Sequence, residues 1–143
     1  MTAPVLEMPF FAISQIGPDV DLVSEVRALN DSGITVPWVW SLYSVVKESA
    51  MHAVPTLTFG VYNEVGTLKY IDGRENLVPA AGRNDTWSTG YLAGMYDTGI
   101  PPYAEVPVEM VYEVLDEFLR TRERPTCIEW KAAERFERSG WSG

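Results

Sequence analysis

Hydrophobic and polar residues alternate most regularly in the middle of the chain. Residues 56–62 (TLTFGVY) and 67–72 (TLKYID) carry apolar side chains at every second position, and residues 63–66 (NEVG) lie between them. Alternation of this period is typical of half-buried strands, and a short polar segment with Gly near its end is typical of a hairpin loop. The pattern predicts a β-hairpin at the centre of a sheet.

Further strands are predicted on either side of this hairpin. Residues 8–14 (MPFFAIS) are rich in aromatic and aliphatic side chains and precede a Gly-Pro break. Residues 75–80 and 91–97 supply more short strands, and residues 82–90 form the loop that separates them. Successive short strands joined by turns favour antiparallel pairing.

Two more apolar segments differ in how clearly the pattern assigns them. Residues 126–130 (TCIEW) follow a proline and predict a short closing strand, before a polar tail at residues 131–143. Residues 34–46 (ITVPWVWSLYSVV) are aromatic and β-branched, but Pro37 interrupts them. Because their period fits a strand or a helix, the type of this segment stays open at this point.

Apolar residues at spacings of three and four predict two helices. The first spans residues 18–30, where Asp19 and Asp21 lie near the N-terminus and suit the helix dipole. The second begins near Pro107, which the first turn of a helix tolerates, and ends near residues 122–124, just before a proline. The apolar positions are Leu22, Val23, Val26 and Leu29 in the first helix and Val108, Val111, Leu115, Phe118 and Leu119 in the second.

The order of these elements predicts an α+β fold. A strand and a helix come first, a run of strands follows, and a helix and a strand end the pattern, which is the order β-α-β-meander-α-β. A single antiparallel β-sheet packed with two main helices satisfies this order. Because the chain has 143 residues, with Gly and Pro scattered rather than gathered into a linker, we expect one domain over residues 1–143.

The cysteine content and the apolar runs bear on the compartment. Cys127 has no second cysteine with which to form an internal disulfide, as is usual in a reducing compartment. Residues 1–16 lack the basic start of a signal peptide, and no apolar run approaches the roughly 20 residues of a membrane helix. We therefore expect a cytoplasmic protein that does not bind membranes.

Acidic residues outnumber basic ones in the body of the chain. Residues 1–121 hold 16 acidic and 6 basic side chains, a net charge of −10, whereas residues 122–143 hold 4 and 5, a net charge of +1. A negative field repels phosphate backbones and attracts basic partners, although solubility alone also explains an acidic surface. The charge argues against nucleic-acid binding. Four of the carboxylates lie opposite the apolar stripe of the second helix, at Glu109, Glu113, Asp116 and Glu117.

Few residues are suited to catalysis or metal binding. His52 and Cys127 allow at most one Cys–His pair, and the predicted strand around Cys127 favours a small core residue instead. Two such ligands are too few for a tetrahedral zinc site, which takes three or four protein ligands. The sequence has no calcium loop and no glycine-rich phosphate loop. We expect no catalytic residue, no cofactor and no metal, and so a binding protein rather than an enzyme.

Aromatic residues are frequent, with five Trp and seven Tyr, and they divide into two groups. Those assigned to the core are Phe59, Tyr70, Phe118 and Trp130. Others fall among acidic residues in the loops of residues 72–103, a combination that is typical of protein interfaces. The predicted partner-binding residues are Asp72, Glu75, Asp85, Trp87, Tyr91, Tyr96, Asp97 and Tyr103.

The C-terminal half of the chain resembles a known family. Two segments carry the resemblance: the hairpin TLTFGVYNEVGTLKYID, and VPVEMVYEVLDEFLRTRERPTCIEW, in which a Val-Pro helix start leads to a basic turn, a proline and a strand that ends in Trp130. The second segment is the more specific. From about residue 56 to residue 130 the chain is similar to the first-numbered immunity protein family of bacterial polymorphic toxin systems, often found beside deaminase toxins. Residues 34–52 look like additional material.

The resemblance implies a partner and a role. The partner would be a cognate toxin, a basic, zinc-dependent nucleic-acid deaminase similar to the double-stranded DNA cytosine deaminases. Such an enzyme needs a cationic groove for DNA and a zinc-bearing pocket for the extruded base. An acidic immunity protein would neutralise it by blocking the groove or the active site.

Two other functions remain open on the sequence alone. In the first, the chain is an immunity protein against a nuclease toxin. In the second, it is a small-ligand-binding module or a carboxylate-dependent hydrolase, because carboxylate pairs leave no short sequence signature. A toxin gene immediately upstream would favour an immunity function against either kind of toxin. Activity of the chain alone would favour a ligand-binding module or a hydrolase.

Overall fold

The computed structural model describes residues 4–44, 55–72, 75–85, 88–93 and 96–133, and it leaves the side chains of residues 88–90 and 96–98 undescribed. Two helices and nine strands lie within these ranges. Their bounds in chain order are β1 Phe10–Ala12, α1 Leu22–Asp31, β2 Trp38–Tyr43, β3 Thr56–Tyr62, β4 Val65–Asp72, β5 Glu75–Pro79, β6 Ser88–Ala93, β7 Tyr96–Ile100, β8 Glu105–Pro107, α2 Val108–Thr121 and β9 Trp130–Ala132. Short 3-10 turns at Pro4–Glu7 and Ile13–Gln15 flank β1.

All the strands belong to one sheet with the order β7-β6-β2-β3-β4-β5-β9, with β1 beside β2 and β8 beside β4. The strands from β2 to β5 pair antiparallel, but β1 pairs with β2 in parallel, and β6 meets β2 in parallel where Trp38 lies opposite Leu92. The predicted α+β class with two main helices is confirmed, whereas the expectation of a purely antiparallel sheet is corrected. The reason is that α1 forms a crossover between β1 and β2, which brings the two strands together in the same direction.

Both predicted helices are present, and their ends follow the local chemistry. Asp21 caps α1, because its carboxylate accepts a hydrogen bond from the Ser24 N–H at 3.2 Å. α2 follows Pro107 directly and ends at Arg122, which takes a left-handed φ of 61° and donates its N–H to the Phe118 carbonyl at 2.7 Å. Within the described ranges, neither helix has the length and apolar character that a bilayer crossing requires.

The main core lies between the helices and one face of the sheet. Leu57, Phe59 and Val61, at alternate positions of β3, are completely buried there. The Phe59 ring stacks on Trp40 with centroids 5.4 Å apart, and Tyr70 packs edge-on against Phe118 at 6.0 Å. Three of the four predicted core aromatics, Phe59, Tyr70 and Phe118, are thus confirmed as buried, and Trp130 is half-buried against the same cluster.

The central hairpin is confirmed, but its turn is tighter than predicted. Tyr62 pairs with Val65, so only Asn63 and Glu64 lie between the strands. Asn63 takes a left-handed φ of 61°, and Asn30 at the end of α1 holds it: the Asn63 N–H donates to Asn30 Oδ1, and Asn30 Nδ2 donates to the Asn63 carbonyl, both at 2.6 Å. A buried side chain from a distant element therefore completes the turn, which alternation alone does not reveal.

The structure assigns the open segment at residues 34–46 and divides the single strand predicted at residues 91–97. Residues 34–46, whose type was open, contain β2 at Trp38–Tyr43. Residues 91–97 were expected to form one strand, but they contain the end of β6 and the start of β7, which pair antiparallel with Ala93 opposite Tyr96. The predicted loop at residues 82–90 likewise includes the start of β6. Strand propensity is similar on both sides of such a turn, so composition merges the two strands.

The closing strand lies later than predicted. β9 covers Trp130–Ala132, whereas residues 126–129 form a loop. The physical reason is Glu117 of α2, whose carboxylate accepts hydrogen bonds from the N–H groups of Thr126 at 2.7 Å and Cys127 at 3.0 Å. Because a helix side chain uses these backbone donors, they do not pair with a neighbouring strand.

Candidate partner-binding site

The sheet has a second face, opposite the helices. Because successive side chains on a strand alternate, Thr58, Gly60 and Tyr62 of β3 and Thr67 and Lys69 of β4 lie on this face. We call this surface, with the residues that pack against it, the outer face. It is where most of the described aromatic residues outside the main core are found.

The Tyr91 ring packs against Gly60 on the outer face. A Cβ atom placed on Gly60 would lie 3.1 Å from Tyr91 Cδ2 and 2.8 Å from Thr67 Cγ2, so only glycine leaves room for the ring. Burial raises the pKa of Tyr91 to about 12, with smaller contributions from the nearby Glu105 and Tyr62. Tyr62 lies two residues after Gly60 in β3, and 38% of its surface is exposed. The two tyrosines and Glu105 therefore share one small region.

Glu105 places a carboxylate beside this tyrosine pair. It lies in β8 opposite Thr67, and antiparallel partners share a face, so its side chain is on the outer face. Asn84 Nδ2 lies 3.4 Å from Glu105 Oε1, at the long limit of a hydrogen bond. Among the residues that the structure describes, no Lys or Arg nitrogen lies within 4.0 Å of this carboxylate.

A polar row crosses the outer face next to Gly60 and Thr67. Ser41 Oγ lies 3.0 Å from Thr58 Oγ1, and Thr58 is the cross-strand partner of Lys69. Burial lowers the pKa of Lys69, and no carboxylate in the described ranges forms an ion pair with it. Phe10 of β1, whose surface is 56% exposed, ends this row on the other side of Ser41.

Tyr103 and Tyr91 pack against the same small cluster, whose buried members are Val78, Ile100 and Ala104. The Lys131 ammonium lies 3.5 Å from the centre of the Tyr103 ring, within the range of a cation–π contact. The backbone carbonyl of Asn84 accepts a hydrogen bond from the Tyr103 N–H at 2.9 Å. Asp85, the next residue in the chain, is exposed. Two of the predicted partner-binding residues, Tyr91 and Tyr103, therefore belong to the outer face.

Asp72 and Glu75 lie elsewhere. They are cross-strand partners at the end of β4 and β5, on the helix side of the sheet, where Tyr70 lies two residues before Asp72. Both are exposed, and Arg124 Nη1 approaches Glu75 Oε1 at 3.6 Å. The structure thus divides the predicted set, and these two carboxylates do not adjoin Tyr91.

The structure describes only part of the three remaining predicted residues. Trp87 lies outside the described residues. Tyr96 and Asp97 have their backbones in β7, opposite Ala93 and Leu92, but their side chains are not described.

Several carboxylates of the helix side are engaged within the protein. Arg27 of α1 donates two hydrogen bonds to Glu109 of α2, at 3.1 and 3.3 Å, and its guanidinium lies 4.2 Å from the centre of the Tyr112 ring. Asp116 accepts from Arg120 Nε at 3.2 Å. Asp21 caps α1 and Glu117 holds the loop after α2, as described above.

A groove of about 400 Å³ lies on the helix side, between the start of α1 and the end of α2. Its aliphatic floor includes Ile16, Val20 and Leu119, which are half-buried, and Asp116 and Arg122 stand at its edge. The groove is lined by two carboxylates, Asp21 and Asp116, and one guanidinium, Arg122, around an apolar floor. It is a concave feature that the sequence pattern did not predict.

Cys127 is exposed, which corrects its assignment as a buried core residue. Partial burial of the thiol raises its pKa to about 11, and the hydrogen-bonded Glu117 carboxylate adds to the shift. The thiol therefore stays protonated near neutral pH and is a poor nucleophile. His52 lies outside the described residues, and within the described ranges no three His, Cys, Asp or Glu side chains form a group suited to a metal ion.

Tyr62 and Glu105 are outer-face residues that sequence analysis did not single out. Tyr62 ends the alternating segment TLTFGVY, and its position in that alternation is opposite to that of the core residues Leu57, Phe59 and Val61. That alternation was a signal for an outward-facing ring. Glu105 carried no such signal, since its position depends on the pairing of β8 with β4.

Comparison with known families identifies one match. The family described as immunity protein Imm1 matches residues 20–132, which is more than three quarters of the chain. The match includes both helices and the outer-face residues Tyr62, Tyr91 and Glu105. No curated protein matches the chain.

Proposed function

Because the chain belongs to the Imm1 family of immunity proteins, we propose that it binds and neutralises a toxin that is a cytosine deaminase acting on double-stranded DNA. The inhibitor would cover the DNA groove or the active-site pocket and would carry out no reaction itself. The complex would form in the cytoplasm, where the toxin would otherwise reach DNA.

The observation that carries this proposal is the outer face. Tyr62, Tyr91 and Tyr103 place three rings there, and Glu105 places a carboxylate beside Tyr91. Buried aromatic anchors supply much of the binding energy of protein interfaces, and carboxylates near them select a basic partner. A rigid sheet holds these groups, so little conformational entropy is lost on binding.

The charge of the chain supports the same kind of partner. A DNA deaminase needs a cationic groove for phosphate and a zinc-bearing pocket for the base. The net charge of −9 attracts such a groove over several ångströms and raises the association rate. The same charge repels DNA, so we propose that nucleic acid and membranes are not partners.

We propose the sequence-derived residues as the wider contact region around the outer-face tyrosines. In this proposal the exposed carboxylates steer the toxin, and the rings make the central contacts. These residues are Asp72, Glu75, Asp85, Trp87, Tyr91, Tyr96, Asp97 and Tyr103. Neither cofactor nor metal is needed by the immunity protein for this role, because the zinc would belong to the toxin.

Co-expression with the product of the adjacent toxin gene tests the proposal. Cells that produce the toxin with this chain should survive, whereas cells that produce the toxin alone should lose viability and accumulate C-to-T changes. A catalytically inactive toxin variant should be harmless with or without the chain. With purified proteins, the chain should abolish uracil formation in duplex DNA at equimolar concentration.

Each outcome is informative. DNA strand breaks instead of uracil formation would replace the deaminase with a nuclease target while the immunity role stands. Failure of the chain to protect cells and to bind the toxin would refute the proposed function. Turnover of a small substrate by the chain alone would favour the hydrolase alternative.

A further inference from the structure

Three side chains at the centre of the outer face converge around Gly60. The residues Gly60 and Thr67 are cross-strand partners, and Glu105 continues the same row on β8. Tyr91 covers Gly60, and Tyr62 follows two residues later on the same face of β3. The result is a pair of rings beside a carboxylate on a rigid, three-stranded support.

The protein places two of its own cations over tyrosine rings, and one of them also pairs with a carboxylate. On the helix side, the Arg27 guanidinium stacks 4.2 Å from the Tyr112 ring centre and pairs with Glu109 at 3.1 Å. On the outer face, the Lys131 ammonium lies 3.5 Å from the Tyr103 ring centre. At Tyr62, Tyr91 and Glu105, the described residues provide the rings and the carboxylate. Arg83 is the cross-strand partner of Glu105, but no described Lys or Arg nitrogen lies within ion-pair distance of the carboxylate.

We propose that Tyr62, Tyr91 and Glu105 form the anchoring position for one Arg or Lys side chain of the toxin. This inference rests on the proposed function and identifies where the basic partner is held. The ring faces contact the aliphatic and cationic parts of the incoming side chain, and the Glu105 carboxylate pairs with its charge.

The physical basis is that contacts with the protein must offset the hydration that the incoming cation loses. A cation that leaves water needs both electrostatic partners and apolar contact, and rings beside a carboxylate supply both. The sheet already buries most of Tyr91, so the incoming side chain meets a preformed surface rather than one that must first be ordered. An exposed ring such as Tyr62 loses water when the partner covers it.

Substitutions at Tyr62 and Glu105 test the position with the adjacent toxin as probe. Tyr62→Ala should weaken binding about tenfold, mainly through faster dissociation, whereas the matched control Tyr62→Phe keeps the ring and should stay within about threefold of wild type. Glu105→Gln keeps the shape but removes the charge, and should weaken binding about tenfold to a hundredfold. Far-ultraviolet circular dichroism and thermal unfolding establish that each variant is folded.

Lys69 provides a test that depends on the sign of the partner's charge. It lies one pleat from Thr67 on the outer face, about 7 Å along β4, so its ammonium repels a cation held beside Glu105. Lys69→Met should therefore tighten toxin binding about threefold to tenfold. If the toxin instead presents a carboxylate here, the same variant weakens binding and the inference is wrong.

A second probe separates this inference from the proposed function. N-acetyl-arginine amide, titrated to high millimolar concentration, should shift the Tyr62 and Tyr91 ring resonances in nuclear magnetic resonance spectra of the wild type. The shifts should be much smaller in Glu105→Gln. Equal shifts in both proteins, or unchanged toxin affinity in both Tyr62→Ala and Glu105→Gln, would overturn the inference even if the chain protects cells. Failure of the wild type to bind the toxin would instead refute the proposed function and leave the arginine titration as the test of the position.

Discussion

The two sides of the sheet differ in how they use polar and aromatic residues. Residues 19–31 and 108–121, which contain the two helices, hold eight acidic and two basic side chains, a charge of −6. Residues 72–103 hold four acidic and two basic side chains, a charge of −2. Residues 72–103 lie on both sides of the sheet. The two helices thus carry most of the net charge of −9, while the partly exposed tyrosines lie on the outer face.

The difference shows that charge density and contact surface need not coincide. Several helix-side carboxylates cap a helix, hold a loop or pair with a guanidinium, as Asp21, Glu117 and Glu109 do. They contribute to the field around the protein but already have partners inside it. Glu105 and Tyr62 on the outer face are less engaged and are better placed to meet another protein.

The largest effect is expected from the core on the helix side. Phe118→Ala should lower the free energy of unfolding by about 3–5 kcal/mol, because it leaves a cavity beneath α2 next to the completely buried Tyr70. Tyr62→Ala on the outer face should change stability by less than about 1 kcal/mol. Urea unfolding measures both. Equal losses would show that the outer face is as important for folding as the helix side.

The second-largest effect on stability is expected from the polar contact between α1 and the hairpin turn. Asn30→Ala leaves the Asn63 N–H without its acceptor and should cost about 1–3 kcal/mol of stability. The toxin affinity of the folded fraction should be unchanged, because Asn30 is on the helix side. A loss of affinity at a temperature where the variant is fully folded would place the interface near α1 instead.

Matched charge reversals compare the predicted contact region with carboxylates on the helices and the hairpin turn. One variant changes Asp72, Glu75, Asp85 and Asp97 to Lys, and the control changes Asp19, Asp31, Glu64 and Glu113 to Lys. Each shifts the net charge by +8, from −9 to −1. The first should slow association at low salt about tenfold and flatten its salt dependence, and the control about threefold. Stopped-flow mixing measures both association rates, and a greater effect of the control would move the contact region toward α1 and α2.

Glu117 makes a smaller and pH-dependent contribution to the helix side. The hydrogen bond from the Thr126 N–H is the main reason that its pKa lies below the usual value. A carboxylate with a lowered pKa stabilises the fold above its unfolded-state pKa, and the contribution is lost as the pH falls through the folded-state pKa. Glu117→Gln should cost about 1 kcal/mol near pH 7, and the cost should shrink as the pH falls through the folded-state pKa. A difference that stays constant over this range would exclude titration of Glu117 as the cause.

The smallest effect is expected at the end of α2. Arg122 occupies a left-handed conformation that glycine adopts without strain, so Arg122→Gly should raise stability by about 0.5–1 kcal/mol. Arg122 also borders the helix-side groove. Unchanged toxin affinity in this variant would agree with an outer-face interface, and thermal unfolding would measure the gain.

The parts of the fold that were predicted depend on short-range patterns. Alternation in TLTFGVY and TLKYID identified β3 and β4, and the apolar stripe of α2 identified that helix and its packing face. The errors occurred where a hydrogen bond to a residue distant in sequence determines the local conformation. Glu117 keeps Thr126 and Cys127 out of a strand, and Asn30 shapes the turn at Asn63.

The candidate site was predicted only in part for the same reason. Tyr91 and Tyr103 were selected because they fall among acidic residues in the loops of residues 72–103, and the structure places both on the outer face. Asp72 and Glu75 came from the same segment but lie on the helix side, near Arg124. Nearness in sequence does not specify which face of a sheet a side chain occupies once the strands are paired.

The sequence alone determined the helices, the central hairpin, the acidic charge and the resemblance to an immunity protein family. These properties follow from local periodicity, composition and a linear motif, which need no knowledge of long-range contacts. Tertiary structure alone decided that β8 pairs with β4, and so that Glu105 joins Tyr62 and Tyr91 above Gly60. Strand pairing joins residues far apart in the chain, and its choice depends on the packing of the whole sheet rather than on any one segment.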